Sequence, residues 1–152
     1  MDTTFKLAEP ADVELLLQFM REYYEFDRLH FDESTARSVL RKFIGNDALG
    51  RLWVIAHEGE AVGYLVLTLG FSFEFGGYDA FIDEVYIREC QRGRGIGKMA
   101  LQVAEEECRV LEVRALHLEV ERENTNAHAL YRKVGFIDHD RYLMTKRIAL
   151  YK

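Results

Sequence analysis

FIDEVYIRECQRGRGIGKMA, residues 81–100, runs from an apolar, strand-like segment into ten residues that hold three glycines and three cations. Ala80 to Ile87 is rich in β-branched and aromatic residues and reads as a strand. Gly97 to about Val110 has helical periodicity, with Ile96, Ala100, Val103 and Cys108 as its inner face. Ala115 to Val120 then alternates Leu116, Leu118 and Val120 against His117 and Glu119, which is again strand-like. A strand, a helix and a strand in this order form a parallel crossover, so the segment from 80 to 120 demands a sheet with at least one parallel pair.

The glycines between strand and helix need their own explanation. A turn that opens a helix aims several unpaired N–H groups and the positive end of the helix dipole at one spot, which makes an anion site. Two familiar nucleotide loops fail on spacing. A Walker A loop needs a glycine five residues before Gly97 and a Ser or Thr after Lys98; the chain has Arg92 and Met99. A dinucleotide fingerprint needs Gly-x-Gly-x-x-Gly, whereas Gly93, Gly95 and Gly97 are evenly spaced.

Outward from this stretch, the chain shows no internal repeats, no low-complexity tract and a single proline, Pro10. Thr4 to Ala8 reads as a short strand. Pro10 opens a helix carrying Val13, Leu16, Leu17, Met20 and Tyr24 on one face. Asp32 or Ser34 caps a second helix with Val39, Leu40 and Phe43 inside, ended by Gly45-Asn46. Arg51 to His57 and Ala61 to Leu69 form a hairpin around Glu58-Gly59-Glu60. Asn126 to Val134 reads as a short helix closed by Gly135, and Phe136 to Ile148 has room for two more strands. The expected order is β-α-α-β-β-β-α-β-α-β-β in one domain, residues 1–152, with helices on both faces of a mixed sheet.

Arg92-Gly93-Arg94-Gly95-Ile96-Gly97 matches the Arg/Gln-x-x-Gly-x-Gly/Ala loop of the GNAT superfamily of acetyl-CoA-dependent N-acetyltransferases. The preceding FIDEVYIREC resembles the strand that leads into that loop. Asn124 to Phe136, NTNAHALYRKVGF, resembles the family's Asn-x-x-Ala-x-x-x-Tyr-x-x-x-Gly-Phe block. The resemblance covers nearly the whole chain and is strongest from 80 to 136. It implies the GNAT form of an α/β (α+β) fold: a mostly antiparallel sheet of about seven strands, four helices, and a splayed central parallel pair. It also implies acetyl-CoA as cosubstrate.

The resemblance further assigns residues. The backbone of Gln91, Arg92, Gly93, Arg94, Gly95, Ile96 and Gly97 would hold the CoA pyrophosphate, with Arg92 and Arg94 as added charge and Lys98 near the nucleotide. The pantetheine arm would lie along Val85, Tyr86 and Ile87, where the strand splays from Leu118–Val120, and would use free N–H and C=O groups near Val85 and Ile87. Asn124 would contact that arm, with capping of the following helix as its other role. Tyr131 matches the tyrosine that protonates the CoA sulfur in many members. For the base, Asp83 and Glu84 lie on the strand beside the acetyl group. Strand alternation sends their side chains to opposite faces, so at most one faces the acceptor, and Glu84 is the first choice; deprotonation through water is the alternative.

The acceptor side falls on residues 21–34 and 71–81, where aromatics and carboxylates mix: Tyr24, Glu25 and Asp27 in the first, Glu74 and Tyr78 in the second. Together with Glu84 they suit an alkylammonium, loosely as in the diamine and thialysine acetyltransferases. A protein lysine or N-terminus as acceptor and a non-catalytic acetyl-CoA-binding module are the competing readings. A net charge of −6 argues against a broad nucleic-acid face. Two cysteines, Cys90 and Cys108, are too few for a disulfide framework or a zinc site, so no metal and a reducing, cytoplasmic setting are expected. The opening MDTTFKLAEPADVE lacks the basic and apolar regions of a signal peptide, and no apolar run is long enough to span a bilayer, so no membrane partner is expected. The family is often dimeric, which makes a homodimer through the aromatic tail (136–151) the expectation.

Overall fold

A computed structural model describes residues 2–151 and divides the chain into two compact units, Met1–Glu119 and Val120–Lys152. In the first unit, local chemistry sets most boundaries. Strand β1 (Thr3–Leu7) ends before Pro10, and helix α1 (Val13–Phe26) follows a single 3-10 turn at Pro10–Asp12. Helix α2 (Glu33–Phe43) is capped by Asp32, whose carboxylate accepts from the Ser34 amide at 3.1 Å and the Thr35 hydroxyl at 2.9 Å. It stops two residues before Gly45, which has a φ of +79°.

Strands β2 (Gly50–His57), β3 (Glu60–Ser72) and β4 (Gly77–Ile87) follow as consecutive antiparallel neighbours, and β1 adds to β2. Helix α3 (Ile96–Val110) then crosses back so that β5 (Ala115–His117) runs parallel to β4. The sheet order is β1-β2-β3-β4-β5. Leu16, Leu17, Phe19 and Met20 of α1 and Ala36 and Leu40 of α2 pack against Leu52, Val54, Tyr64 and Tyr86 on one face. The alternate residues Trp53, Ile55, Leu65 and Leu67 are buried on the other face, and α3 packs on β4 and β5.

Two departures from the sequence reading concern strands. The sheet has five strands, not seven, because residues 136–151 carry no strand. Their apolar residues come in clumps, Tyr142-Leu143-Met144 and Ile148 to Tyr151, with Lys146 and Arg147 between, so no alternating face specifies a register. Ile137, Tyr142, Leu143, Met144, Ile148, Leu150 and Tyr151 are all exposed, and without burial a strand has nothing to offset its ordering entropy. The fifth strand also ends at His117 rather than at Val120.

The second unit contains helix α4 (Thr125–Lys133). Asn124 caps it through Oδ1, which accepts from the Ala127 amide at 3.2 Å, and Gly135 (φ +107°) closes it. Asp138 binds Arg132 and accepts His128 Nε2 at 2.9 Å, which holds the carboxyl well below the ordinary carboxylate range.

An added Cβ at Gly63 would lie 1.9 Å from the Tyr86 carbonyl oxygen, as close as one at Gly50 would come to the Leu67 carbonyl oxygen. Gly63→Ala therefore has to push β3 from the end of β4. We expect it to lower stability by about 1–3 kcal/mol, read as a reduced urea midpoint at unchanged m-value; an unaltered midpoint would show that the strands separate freely there.

Candidate active site

Strand β4 has an irregularity that no local sequence pattern announces. Val66 of β3 pairs with Glu84 and Leu67 with Ile82, so Asp83 is an extra residue, a β-bulge. The extra residue breaks the regular pleat beside Glu84, where the sequence reading assumes strict alternation. Both carboxylates instead act on the same two phenols, Tyr23 and Tyr24 of α1.

Glu84 is the centre of this cluster. The Tyr24 hydroxyl donates to its Oε2 at 2.6 Å and the Tyr64 hydroxyl to its Oε1 at 2.8 Å. Burial pushes the Glu84 carboxyl up; the two phenol donors pull it down and the Asp83 charge adds to the rise, and the balance lies above the ordinary range. Asp83 opens to solvent as a residue, yet the protein around its carboxyl still pushes that group up. Tyr23 is raised to about 12, first by burial and then by the charges of Asp27, Glu84 and Asp83.

A second carboxylate nearby is arranged differently. Glu22 accepts Arg88 through two bonds, at 3.1 and 3.0 Å, and the Tyr86 hydroxyl at 2.9 Å. Burial opposes its charge, but those bonds outweigh the penalty and hold Glu22 below the ordinary range. Arg88 also lies over the Phe19 ring, 4.8 Å from its centre.

Beside this cluster β4 loses a neighbour. β5 pairs with Asp79, Ala80 and Phe81 and goes no further, so, among the described residues, 82–87 keep β3 alone as a strand partner. That is the splay expected from the sequence. One part of the expectation is corrected: the Ile87 carbonyl is not free, because Arg92 Nε donates to it at 2.9 Å. The guanidinium folds back onto the strand because aromatic faces hold it, 4.6 Å from the centre of Phe26 and 5.9 Å from Tyr86.

The glycine stretch forms a turn into α3. Gly93 and Gly95 have φ of +80° and +78°, and space is open on the side where their Cβ atoms would project. The first helical bond runs from the Met99 amide to the Gly95 carbonyl at 3.1 Å, so the amides of the turn lie outside the helix ladder. Gln91 has a buried side-chain oxygen with no hydrogen-bond partner among the described residues. Arg94 and Lys98 are exposed and Ile96 is buried. A glycine turn at a helix N-terminus, next to a half-paired strand, is the kind of backbone arrangement that attracts an anion.

The remaining residues singled out from sequence are scattered. Glu25 and Asp27 are exposed at the end of α1. Tyr78 is exposed, edge-on to Phe71 at 5.6 Å, and Glu74 sits at the β3–β4 tip. At about 3.3 Å per residue, Tyr78 is roughly 20 Å of strand away from Glu84, outside the carboxylate cluster. Tyr131 lies on α4, its ring edge-on to Phe136 at 6.0 Å, and burial pushes its phenol up. The Asn124 cap uses the amide oxygen and leaves the NH₂ uncommitted to it. Sequence reasoning placed Tyr23 among the aromatics of residues 21–34, without a role of its own, and missed Tyr64; a tyrosine inside an apolar strand run is the available signal, since a buried phenol needs a partner.

Comparison with known proteins agrees with this geometry. The model of the Acetyltransferase (GNAT) family matches residues 14–136. An uncharacterized N-acetyltransferase of Bacillus subtilis, YycN, is 27% identical over 146 residues, covering 84% of this chain and 92% of its own. The crystal structure of an integron cassette protein from the mobile metagenome of Cole Harbour Salt Marsh, HFX_CASS3, superposes with a TM-score of 0.84 at 36% identity, covering 96% of this chain and 91% of its own. A predicted acetyltransferase from Clostridium acetobutylicum, solved with acetyl-CoA, has the same fold, with a TM-score of 0.79 at 16% identity over 95% of this chain and 96% of its own. The glycine turn, the half-paired strand and the match along most of the sequence lead to one assignment: the chain belongs to the acetyltransferase (GNAT) family and is an N-acetyltransferase that uses acetyl-CoA.

Proposed function

We propose that this enzyme acetylates a small cationic primary amine, polyamine-like or lysine-analogue-like, by direct attack within a ternary complex. The observation that carries the reading is the Glu84–Asp83 carboxylate pair set among Tyr23, Tyr24 and Tyr64 beside the open side of β4. Carboxylates among aromatic faces attract an alkylammonium. An amine with a pKa near ~10 is protonated at neutral pH and must lose a proton before it can attack. Glu84 takes that proton at a carboxylate oxygen, and Asp83 contributes to holding the cation.

Acetyl-CoA, when bound, supplies the activated acetyl thioester. The amides of Gly93 to Gly97 hold its pyrophosphate, with Arg94 and Lys98 adding charge; the Gln91 and Arg92 amides named from the sequence donate to the Arg88 and Glu89 carbonyls, and Arg92 adds its charge only by leaving the Ile87 carbonyl. Val85, Tyr86, Ile87 and the Asn124 amide orient its arm. Tyr131, in the role its matching position suggests, gives its phenolic proton to the leaving sulfur. Of the acceptor-side residues named from the sequence, Tyr24 is the best supported because it bonds Glu84 directly, Glu25 and Asp27 lie near it at the end of α1, and Glu74 and Tyr78 are too far along the hairpin to share a pocket with Glu84. We read all 152 residues as one catalytic domain. The unpaired thiols of Cys90 and Cys108 support a cytoplasmic setting, and the exposed apolar tail supports a homodimer. Among the described residues no helix is long and apolar enough to cross a membrane.

A protein lysine or N-terminus as acceptor is the second reading, favoured by the exposed aromatics Phe71, Phe73 and Tyr78 at the hairpin tip. A panel of polyamines, lysine analogues, aminoglycosides and peptides, read by CoA thiol release, separates the two. Release limited to peptides would replace the first reading, and no amine-dependent release at all would leave a binding module.

Glu84→Gln should lower kcat/KM by about 10²–10⁴-fold. Because Glu84 lies above the ordinary glutamate range and acts as a base, wild-type kcat/KM should rise with pH through that raised value. An acid limb that persists in Glu84→Gln would assign the base elsewhere. Tyr131→Phe should lower kcat by about 10²-fold or more with little change in acetyl-CoA affinity; unchanged turnover would remove Tyr131 from the chemistry.

A further inference from the structure

We propose that Tyr24 and Tyr64 are positioning residues for Glu84: two phenols, from α1 and from β3, that grip one carboxylate oxygen each and aim it into the acceptor site. The inference rests on the reading of Glu84 as the base, and it concerns what makes that base usable.

The grip is specific in geometry. The Tyr24 O···O distance of 2.6 Å matches a hydrogen bond to a charged acceptor, and the Tyr64 distance of 2.8 Å an ordinary hydroxyl hydrogen bond. The two donors arrive from different elements, 60 and 20 residues away in sequence, so the carboxylate plane is fixed by the packing of α1 and β3 on β4. Tyr64 is wholly enclosed, at 1% exposure, within the core that the first two helices cover. A phenylalanine would fill the same space at either position, so the hydroxyls serve the carboxylate. Each carboxylate oxygen has two lone-pair directions. A phenol on one direction of each oxygen leaves a defined second direction for an incoming ammonium.

The same bonds select the charged state. Phenols can donate to a carboxylate, but a protonated carboxyl has to donate in turn, and one phenol must then turn away. The groups facing Glu84 are Tyr23 and Tyr24 from α1, Tyr64 from β3 and Asp83 from its own strand, with Asp27 reaching Tyr23 from the end of α1. Burial and Asp83 both favour the neutral acid, and the phenols oppose them. Without either donor, the Glu84 carboxyl would lie higher still.

The test uses Tyr24→Phe and Tyr64→Phe in the full chain, with Glu84→Gln as reference. The Glu84 carboxyl is titrated directly by ¹³C NMR with labelled glutamate, assigned by the signal that Glu84→Gln lacks. In parallel, the pH profile of kcat/KM is recorded with acetyl-CoA and an amine that the panel identifies. Each Phe variant should raise the carboxyl midpoint by about 1 pH unit. The kinetic acid limb should move with it, giving a roughly tenfold loss of kcat/KM below the limb and little loss well above it. A midpoint that stays in place in either soluble variant overturns the proposal and leaves that tyrosine as packing. Tyr24, less enclosed than Tyr64, provides the test if Tyr64→Phe does not fold. Failure of the base reading looks different: Glu84→Gln would keep the wild-type acid limb, whatever the carboxyl midpoint does in the Phe variants.

Discussion

Past Phe81, strand β4 has a neighbour on one side only, and this half-paired strand is the constraint around which the site is organised. Backbone N–H and C=O groups away from water require partners. A sheet that paired β4 along its full length would leave no slot for an extended ligand. The structure ends the pairing after three residues of β5 and then places a glycine turn and a helix N-terminus directly beyond the strand's end. The cradle and the slot are thus consecutive in sequence and contiguous in space. Arg92 occupies the Ile87 carbonyl at their junction, held there by Phe26 of α1. Whatever takes that carbonyl must displace a side chain that also touches the helix bearing Tyr23 and Tyr24.

The bulge at Asp83 serves the other side of the strand. One extra residue interrupts the pleat where the chain passes under α1, and two adjacent carboxylates then influence the same pair of phenols. The two buried-side glutamates of this unit illustrate how environment divides labour. Glu22 has a bidentate guanidinium and is held low, which suits a fixed tie between α1 and the end of β4. The partners of Glu84 are phenols, which pull its carboxyl down less than burial and Asp83 push it up, so it lies above the ordinary range.

Much of this could be read from the residues, for reasons that are local. The Asp32 cap, the Gly45 and Gly135 closures and the positive-φ glycines before α3 are determined by near neighbours, and periodicity alone places α1, α3 and the β4–α3–β5 crossover. What escaped is non-local. The Asp83 bulge is a property of how two strands align, and nothing in FIDEV signals it. Tyr64 meets Glu84 only once the β3–β4 hairpin has closed. The return of Arg92 depends on where Phe26 ends up. The tail failed for the opposite reason: its composition suited strands, but its clumped apolar residues chose no face. Glu74 and Tyr78 have the right chemistry for an acceptor pocket, yet strand length carries them far along the hairpin from Glu84.

The most direct test of the central claim, that the open side of β4 and the turn before α3 together form the acetyl-CoA site, is amide hydrogen exchange with and without acetyl-CoA. The account predicts that added acetyl-CoA slows exchange selectively at residues 85–87 and 91–98, while β1, β2 and the N-terminal half of β4 remain as they were. Protection that leaves residues 85–98 unchanged and appears elsewhere, or no change at saturating acetyl-CoA, would contradict it.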